Sequence, residues 1–386
     1  MQRSETRILT THAGSLPRTP ELTALLVRRS RREPVDPGAL GRAIVDSTRR
    51  VVARQLAADI DVGNDGEQAR ESFFTYVQHR MSGFGGTSER PIMRDITHFP
   101  SYLALRLPDF SRTQVSLMAA PKAVGEVRYA DRAPLERECA LFQEEVREQD
   151  GRFVEPFMTA PSPGIIAAAM TNEHYPRLED YVHAVATALR TEYEYIVAQG
   201  FVLQIDCPDL AMERHTRFAD RPLAEFLAFM ELVVGAINAA LANVPRERVR
   251  LHVCWGNYNG PHVFDVPLEE IIAQLYVARV GALVLSMANP RHAHEHRVLA
   301  RHPLPPDMLL VAGVIDTTTN YVEHPEVVAD RIERAAQAVG DSRRVIAGTD
   351  CGFETAAGMP DVAEEVVWEK LRALREGADL ASRRLL

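Results

Sequence analysis

"RVRLHVCWGN" (residues 248–257) decides how the chain is read. Arg248, Arg250, His252 and Cys254 alternate with Val249, Leu251 and Val253, the period of two that marks a β-strand. His252 and Cys254 therefore share one face. A half-buried strand with an inert cysteine reads this way, and so does a strand offering an imidazole and a thiolate to zinc, which takes N and S donors.

Outward from this stretch the same form recurs. Strand-like apolar runs occur at 6–15, 59–67, 152–164, 201–209, 249–257, 282–290, 308–316 and 344–353, most of them ending in polar or glycine-rich turns. Helical patterns lie between most of them. "RLEDYVHAVATALRTEYEYIVAQG" (177–200) has helical spacing and a glycine stop, and "PEVVADRIERAAQAVG" (325–340) opens on proline and closes on glycine. Eight strands alternating with helices predict parallel pairing and a (β/α)8 TIM barrel. An open doubly wound sheet stays possible on periodicity alone, but no strand runs into a glycine-rich phosphate turn. Residues 20–58 are expected to form N-terminal helices. The Pro-, Arg- and Ser-rich segment at about 87–130 is expected to be an insertion with an antiparallel hairpin in 116–130, and "GFGG" (83–86) a loop. No linker splits the chain, so 1–386 is expected to be a single barrel domain.

Composition narrows the function. The chain of 386 residues is 46% hydrophobic and 25% charged, with a net charge of −9. That charge argues against nucleic acid or an anionic membrane as partner, since phosphate binding needs concentrated positive charge. Four cysteines in such a length do not make a disulfide framework. No apolar run approaches the ~20 residues of a membrane span, and the first residues lack a secretory pattern; the expected location is cytoplasmic.

The polar residues gather at strand ends. His12, Ser15, Asp65, Glu67, Asp206, Asp209, His252, Cys254, Asn257, Asn289, Asp316, Asp350 and Cys351 all fall at or just past them, where barrels of this kind carry their active sites. Cys351, after the last strand, would emerge on the same rim as His252 and Cys254. His-x-Cys with a distant Cys is a sensible zinc tripod with a fourth position open, although Cys351 alone reads as a small buried hydrophobe. Zinc held by two thiolates is a mild Lewis acid suited to keeping a substrate thiol, of free pKa about 8.5, deprotonated. That chemistry favours alkyl transfer onto sulfur over hydrolysis.

With these motifs assembled, the chain resembles the catalytic barrel of cobalamin-independent methionine synthase, in its short single-barrel form. "THAGSLPRT", "DGE" (65–67), "TAPSPG" (159–164), "QIDCPDLA" (204–211), "HVCWGN", "GVIDTTTN" (313–320) and "TDCGF" carry the resemblance in order. The wider superfamily includes epoxyalkane and methyl-corrinoid:coenzyme M transferases with the same His-x-Cys…Cys pattern. The resemblance implies His252, Cys254 and Cys351 as ligands of Zn2+. It implies Ser15, Glu67 and Asp206 as residues holding the ends of homocysteine, and "TAPSPG" as the place of the folate. Two positions depart from the family. Its fourth ligand, a glutamate, falls on Ser286, and a histidine suited to proton transfer falls on Thr318, leaving Asp316 as the candidate acid.

The expected activity is thus zinc-dependent methylation of a thiol, most simply homocysteine, from methyl-folate or a methylated carrier. The alternative keeps the zinc but changes the thiol or uses a donor such as an epoxide. A third reading is a barrel that binds without catalysis. His292 and His296 in "NPRHAHEH" (289–296) read as a solvated first helical turn, and Cys139 and Cys207 as packing.

Overall fold

In the computed structural model, residues 1–106, 114–149 and 153–386 are described; positions 107–113 of the expected insertion and Arg152 of the third expected strand lie outside them. Two short strands, β1 (Phe84–Gly85) and β2 (Lys122–Ala123), pair antiparallel. Six longer ones form a parallel sheet in chain order: β3 (Phe157–Pro161), β4 (Val202–Asp206), β5 (Val249–Val253), β6 (Ala282–Ser286), β7 (Leu309–Ile315) and β8 (Val345–Thr349). Helices α1 (Pro20–Ser30) and α2 (Pro37–Ala57) lead in, and α3 (Arg94–His98), α4 (Pro100–Arg106) and α5 (Ala133–Glu148) precede β3. After β3 come α6 (Pro163–Ala169) and α7 (Leu178–Ala198). The later strands are followed in turn by α8 (Leu223–Ala240), α9 (Leu268–Val277), α10 (His296–Arg301), α11 (Pro325–Val339) and α12 (Glu364–Leu385).

Each long strand is buried along its whole length, as parallel strands under helices must be. On β5, Val249, Leu251 and Val253 join the core that also holds Phe226 and Met230 of α8. Each such side chain is worth about 1.5–3 kcal/mol, an upper range for an extended unfolded chain. The alternate residues point inward. Arg250 is buried inside the barrel, donating to Thr11 Oγ1 (3.1 Å) and the His12 carbonyl (3.0 Å), its guanidinium 3.7 Å from the Phe157 ring centre.

The first two expected strands survive only as connecting bridges, and these complete the ring. Ala347 donates to the Leu9 carbonyl and Thr11 to that of Ala347; Val62 donates to Thr10, and Phe157 to Gly63. The physical reason is local. The Thr10 backbone N–H goes to the Asp61 carboxylate (2.9 Å), and the Asp61 N–H goes to Thr10 Oγ1 (3.2 Å), so side chains take groups that a longer ladder would use.

The hairpin expected within 116–130 is not formed there. Lys122–Ala123 pairs instead with Phe84–Gly85, which also makes part of "GFGG" a strand and not a loop. α8 is long and apolar enough to cross a membrane, yet its Phe226, Met230, Val233 and Ile237 are fully buried in the core.

Candidate metal centre and substrate cavity

Strand register sets the centre. Across β4 and β5, Asp206 stands opposite His252, and laterally paired residues of a sheet face the same way. Asp206 Oδ1 lies 2.9 Å from His252 Nδ1 and also accepts from Gln204 Nε2 at 2.7 Å. A carboxylate on one ring nitrogen fixes the tautomer and turns the other nitrogen toward a metal. His252, Cys254 and Cys351 are all buried, and their donor atoms lie within 4.8 Å of one another. Two sulfurs each ~2.3 Å from a tetrahedral zinc stand roughly 3.8 Å apart; Cys254 Sγ and Cys351 Sγ are 3.9 Å apart. The donor set fits zinc.

Electrostatics prepare the same end. The hydrogen bond from Cys351 outweighs burial and, with His252, holds the Cys254 thiol well below the ordinary range, while Cys351 rises. Burial opposes a charge on His252, but Cys254 and Asp206 raise it to about 10. The protein alone therefore favours a thiolate at Cys254.

Cys351 is positioned by its neighbour. The Asp350 carboxylate accepts from the backbone N–H groups of Met287 (2.8 Å), Ala288 (2.9 Å) and Asn289 (2.7 Å), clamping the end of β8 to the loop after β6. Gly313 makes room for it, since a Cβ there would sit 2.3 Å from Asp350 Oδ1. Ser286, at the position expected for a fourth ligand, donates to the Asp350 carbonyl at 2.8 Å.

The tripod opens into a cavity of about 730 Å³ that Ser15, Glu67 and Asp206 also line, a size suited to small-molecule ligands. Glu67 has a left-handed backbone, φ +58°, uncommon for a residue with a side chain and frequent at functional sites. Its Oε1 accepts from Thr159 Oγ1 at 2.8 Å, while its buried Oε2 has no hydrogen-bond partner among the described residues. Burial, and then the charge of Asp206, push Glu67 up to about 7. Ser15 lies against Gly352, where a Cβ would stand 2.1 Å from its hydroxyl.

Other expectations fare differently. Asp316 lines a separate small cavity with Cys254 and Cys351, its Oδ1 accepting from Thr318 N (2.6 Å) and Thr318 Oγ1 (2.8 Å). "TAPSPG" lies outside the lining of the large cavity; Ser162 is engaged with Asp209 and caps α6. Cys139 and Cys207 are buried packing residues. His292 is not solvated: it is buried against Trp255, and α10 begins only at His296. Sequence reasoning missed Arg31 and Arg32, which bring positive charge to the cavity wall, and Arg90, which lines it while paired with Glu213; nothing in their local spacing marks them.

The Asp206–His252 contact gives a first expectation. Asp206→Asn should weaken zinc affinity about 10- to 100-fold, measured by competition with a chromophoric chelator. Unchanged affinity would remove Asp206 from the metal's support.

A family model described as the cobalamin-independent synthase catalytic domain matches residues 126–378. The methionine synthase of Saccharolobus solfataricus is 24% identical over 379 residues, covering 97% of this chain and 95% of that protein. The 2-hydroxypropyl-CoM lyase of Xanthobacter autotrophicus is 26% identical over 244 residues, covering 56% of this chain and 58% of the lyase, so the chain spans little more than half of that relative. The B12-independent methionine synthase of Shewanella sp. W3-18-1, solved in complex with selenomethionine, shares the fold with a TM-score of 0.72 at 21% identity, covering 98% of this chain and 99% of that one.

Proposed function

The chain belongs to the cobalamin-independent synthase family, and on that premise we propose that it is a zinc-dependent S-methyltransferase acting on homocysteine. One observation carries the reading: two sulfurs 3.9 Å apart and a carboxylate-oriented imidazole stand in one cavity wall with Ser15, Glu67 and Asp206. His252, Cys254 and Cys351 would hold the zinc, which when bound lowers the pKa of a thiol and keeps it nucleophilic at neutral pH.

The chain's own residues do the rest. Glu67, with its unpartnered buried oxygen, and Asp206 receive the substrate ammonium, a charge-assisted contact suited to two carboxylates. The Ser15 hydroxyl takes the substrate carboxylate. These contacts fix the amino-acid end so that the sulfur lies at the cysteine rim, and orientation of this kind lowers the barrier without new chemistry. Asp316, beside the cysteines in the smaller cavity, relays a proton from solvent toward the departing amine or pterin. The roughly 730 Å³ of the main cavity accommodates a methyl donor next to the amino acid.

Zinc-loaded protein given homocysteine and methyl-folate, or a methylated carrier, should form methionine in amounts that depend on zinc. Failure with every methyl donor would reject the reading.

A second reading is favoured by two positions. Ser286 and Thr318 stand where the resemblance implies a glutamate and a histidine, and Arg31 and Arg32 bring cationic charge to the large cavity. Alkyl transfer to a thiol with an anionic tail, from a donor such as an epoxide, would use those features. Competition between homocysteine and a sulfonate thiol for the zinc-loaded protein separates the two.

A further inference from the structure

Behind Cys254, away from the large cavity, the loops after β5 and β6 bring together a second group of metal-ligating side chains. The donor atoms of His262, Asp265 and His292 lie within 4.8 Å of one another. His262 Nδ1 is 2.9 Å and His292 Nε2 is 2.8 Å from the same carboxylate oxygen, Asp265 Oδ2.

The outer nitrogen of each ring is committed elsewhere. His262 Nε2 lies 3.0 Å from the Tyr258 carbonyl, and His292 Nδ1 lies 3.2 Å from Glu295 Oε2. Glu295 is itself anchored, its Oε1 accepting from Leu268 N at 2.8 Å. A carbonyl and a carboxylate only accept, so both outer nitrogens carry hydrogens. Burial opposes a charge on these rings, but Asp265, joined at His292 by Glu295, raises both, so the inner nitrogens share one carboxylate oxygen through protons that an entering metal ion would replace. Outer nitrogens held by a carboxylate and a carbonyl are also the usual support of metal-ligating histidines. Aromatic faces hold the rings in place: Trp255 stacks on His292 at 3.9 Å between centroids, and Tyr258 lies over His262 at 4.3 Å.

An independent observation comes from the other side of Asp265. His215 is 1% exposed, and neither of its ring nitrogens has a hydrogen-bond partner among the described residues; nor has Asp265 Oδ1. His215 Nε2 stands 3.5 Å from that oxygen. That long contact satisfies this side of the carboxylate only weakly, and a weakly satisfied buried carboxylate is costly, which favours a cation on its other oxygen. Asp95 stands beyond His215, with Oδ2 3.8 Å from His215 Nδ1. Its Oδ1 accepts from Val263 N and Phe264 N, and its Oδ2 from Tyr258 Oη.

We propose that His262, His292 and Asp265 hold a second divalent transition-metal ion at Asp265 Oδ2, with His215 paired to the other carboxylate oxygen. Two imidazoles and one carboxylate suit zinc, and cobalt as its spectroscopic substitute. The site adjoins the first: a cavity of about 20 Å³ is lined by Cys254 and Cys351 on one side and His262 and His292 on the other, with Asp316. That volume admits one water. The second ion fixes the loop that leaves Cys254 through Trp255 and adds positive charge beside Asp316.

The test uses cobalt(II) on the full chain stripped with chelator. Wild type should retain two equivalents. Cys254→Ser/Cys351→Ser, with an unchanged circular dichroism spectrum, should retain one, showing d–d bands without the thiolate-to-cobalt charge-transfer band. Adding His292→Gln to that background should abolish retention. A folded double variant that binds no cobalt would overturn the proposal and leave two imidazolium rings sharing Asp265. Cobalt retained undiminished in the triple variant would overturn it as well. Should the triple variant not fold, the wild-type and double-variant stoichiometries still decide.

Discussion

Replacing Cys351 with serine should lower turnover by at least about 10³-fold, equivalent to ~4 kcal/mol, while leaving the fold in place. Cys351 Sγ is 3.9 Å from Cys254 Sγ and forms the third corner of the tripod with His252. Its backbone is held independently, through the Asp350 carboxylate and its three backbone donors, so the substitution changes a donor atom and not the loop. A serine hydroxyl is a poor zinc ligand, and the two remaining donors cannot fix the geometry. Cobalt-substituted protein reports this directly through weakening of the thiolate charge-transfer band. Wild-type turnover by Cys351→Ser would show that the tripod is not the reaction centre.

The second large effect concerns Glu67 and pH. Its carboxyl, pushed up to about 7 by burial and by Asp206, is largely protonated in mildly acidic solution. An ammonium ligand pairs with the ionised form, so below pH 7 binding must include the cost of deprotonation, 1.36 kcal/mol per unit. Affinity should therefore rise with pH, about fivefold between pH 6 and pH 7 and about tenfold by pH 8, and level off above that. Methionine is the better probe than homocysteine because it has no thiol proton to confuse the profile. Glu67→Gln should weaken methionine binding by about 10²-fold or more, as loss of one partner of a buried charge pair does, and flatten the profile. Calorimetry on the zinc-loaded protein measures both. A Glu67→Gln profile that keeps the wild-type slope would assign the titration to another group.

The barrel was legible because its middle strands are written in an unambiguous period. The expected windows 201–209, 249–257, 282–290, 308–316 and 344–353 contain β4 to β8, and 152–164 contains β3. The first two windows were harder to read because Thr10 and Asp61 trade side-chain for backbone hydrogen bonds, which apolar patterning does not register. At the site, i, i+2 spacing aligned His252 with Cys254, and the strand-end rule brought in Cys351. Asp206 was marked for substrate, but its contact with His252 depends on the register between β4 and β5, and register is a long-range property. His292 was misread for the same reason. Helical spacing to His296 suggested a surface turn, whereas Asp265 and Trp255, distant in sequence, bury it.

Zinc K-edge absorption on protein loaded with a single equivalent, which the two thiolates capture first as the softer donors, tests the central claim most directly. The account predicts a shell of two sulfurs with imidazole before homocysteine is added and three sulfurs after. A first shell of nitrogen and oxygen alone, or a sulfur count that homocysteine leaves unchanged, would contradict it.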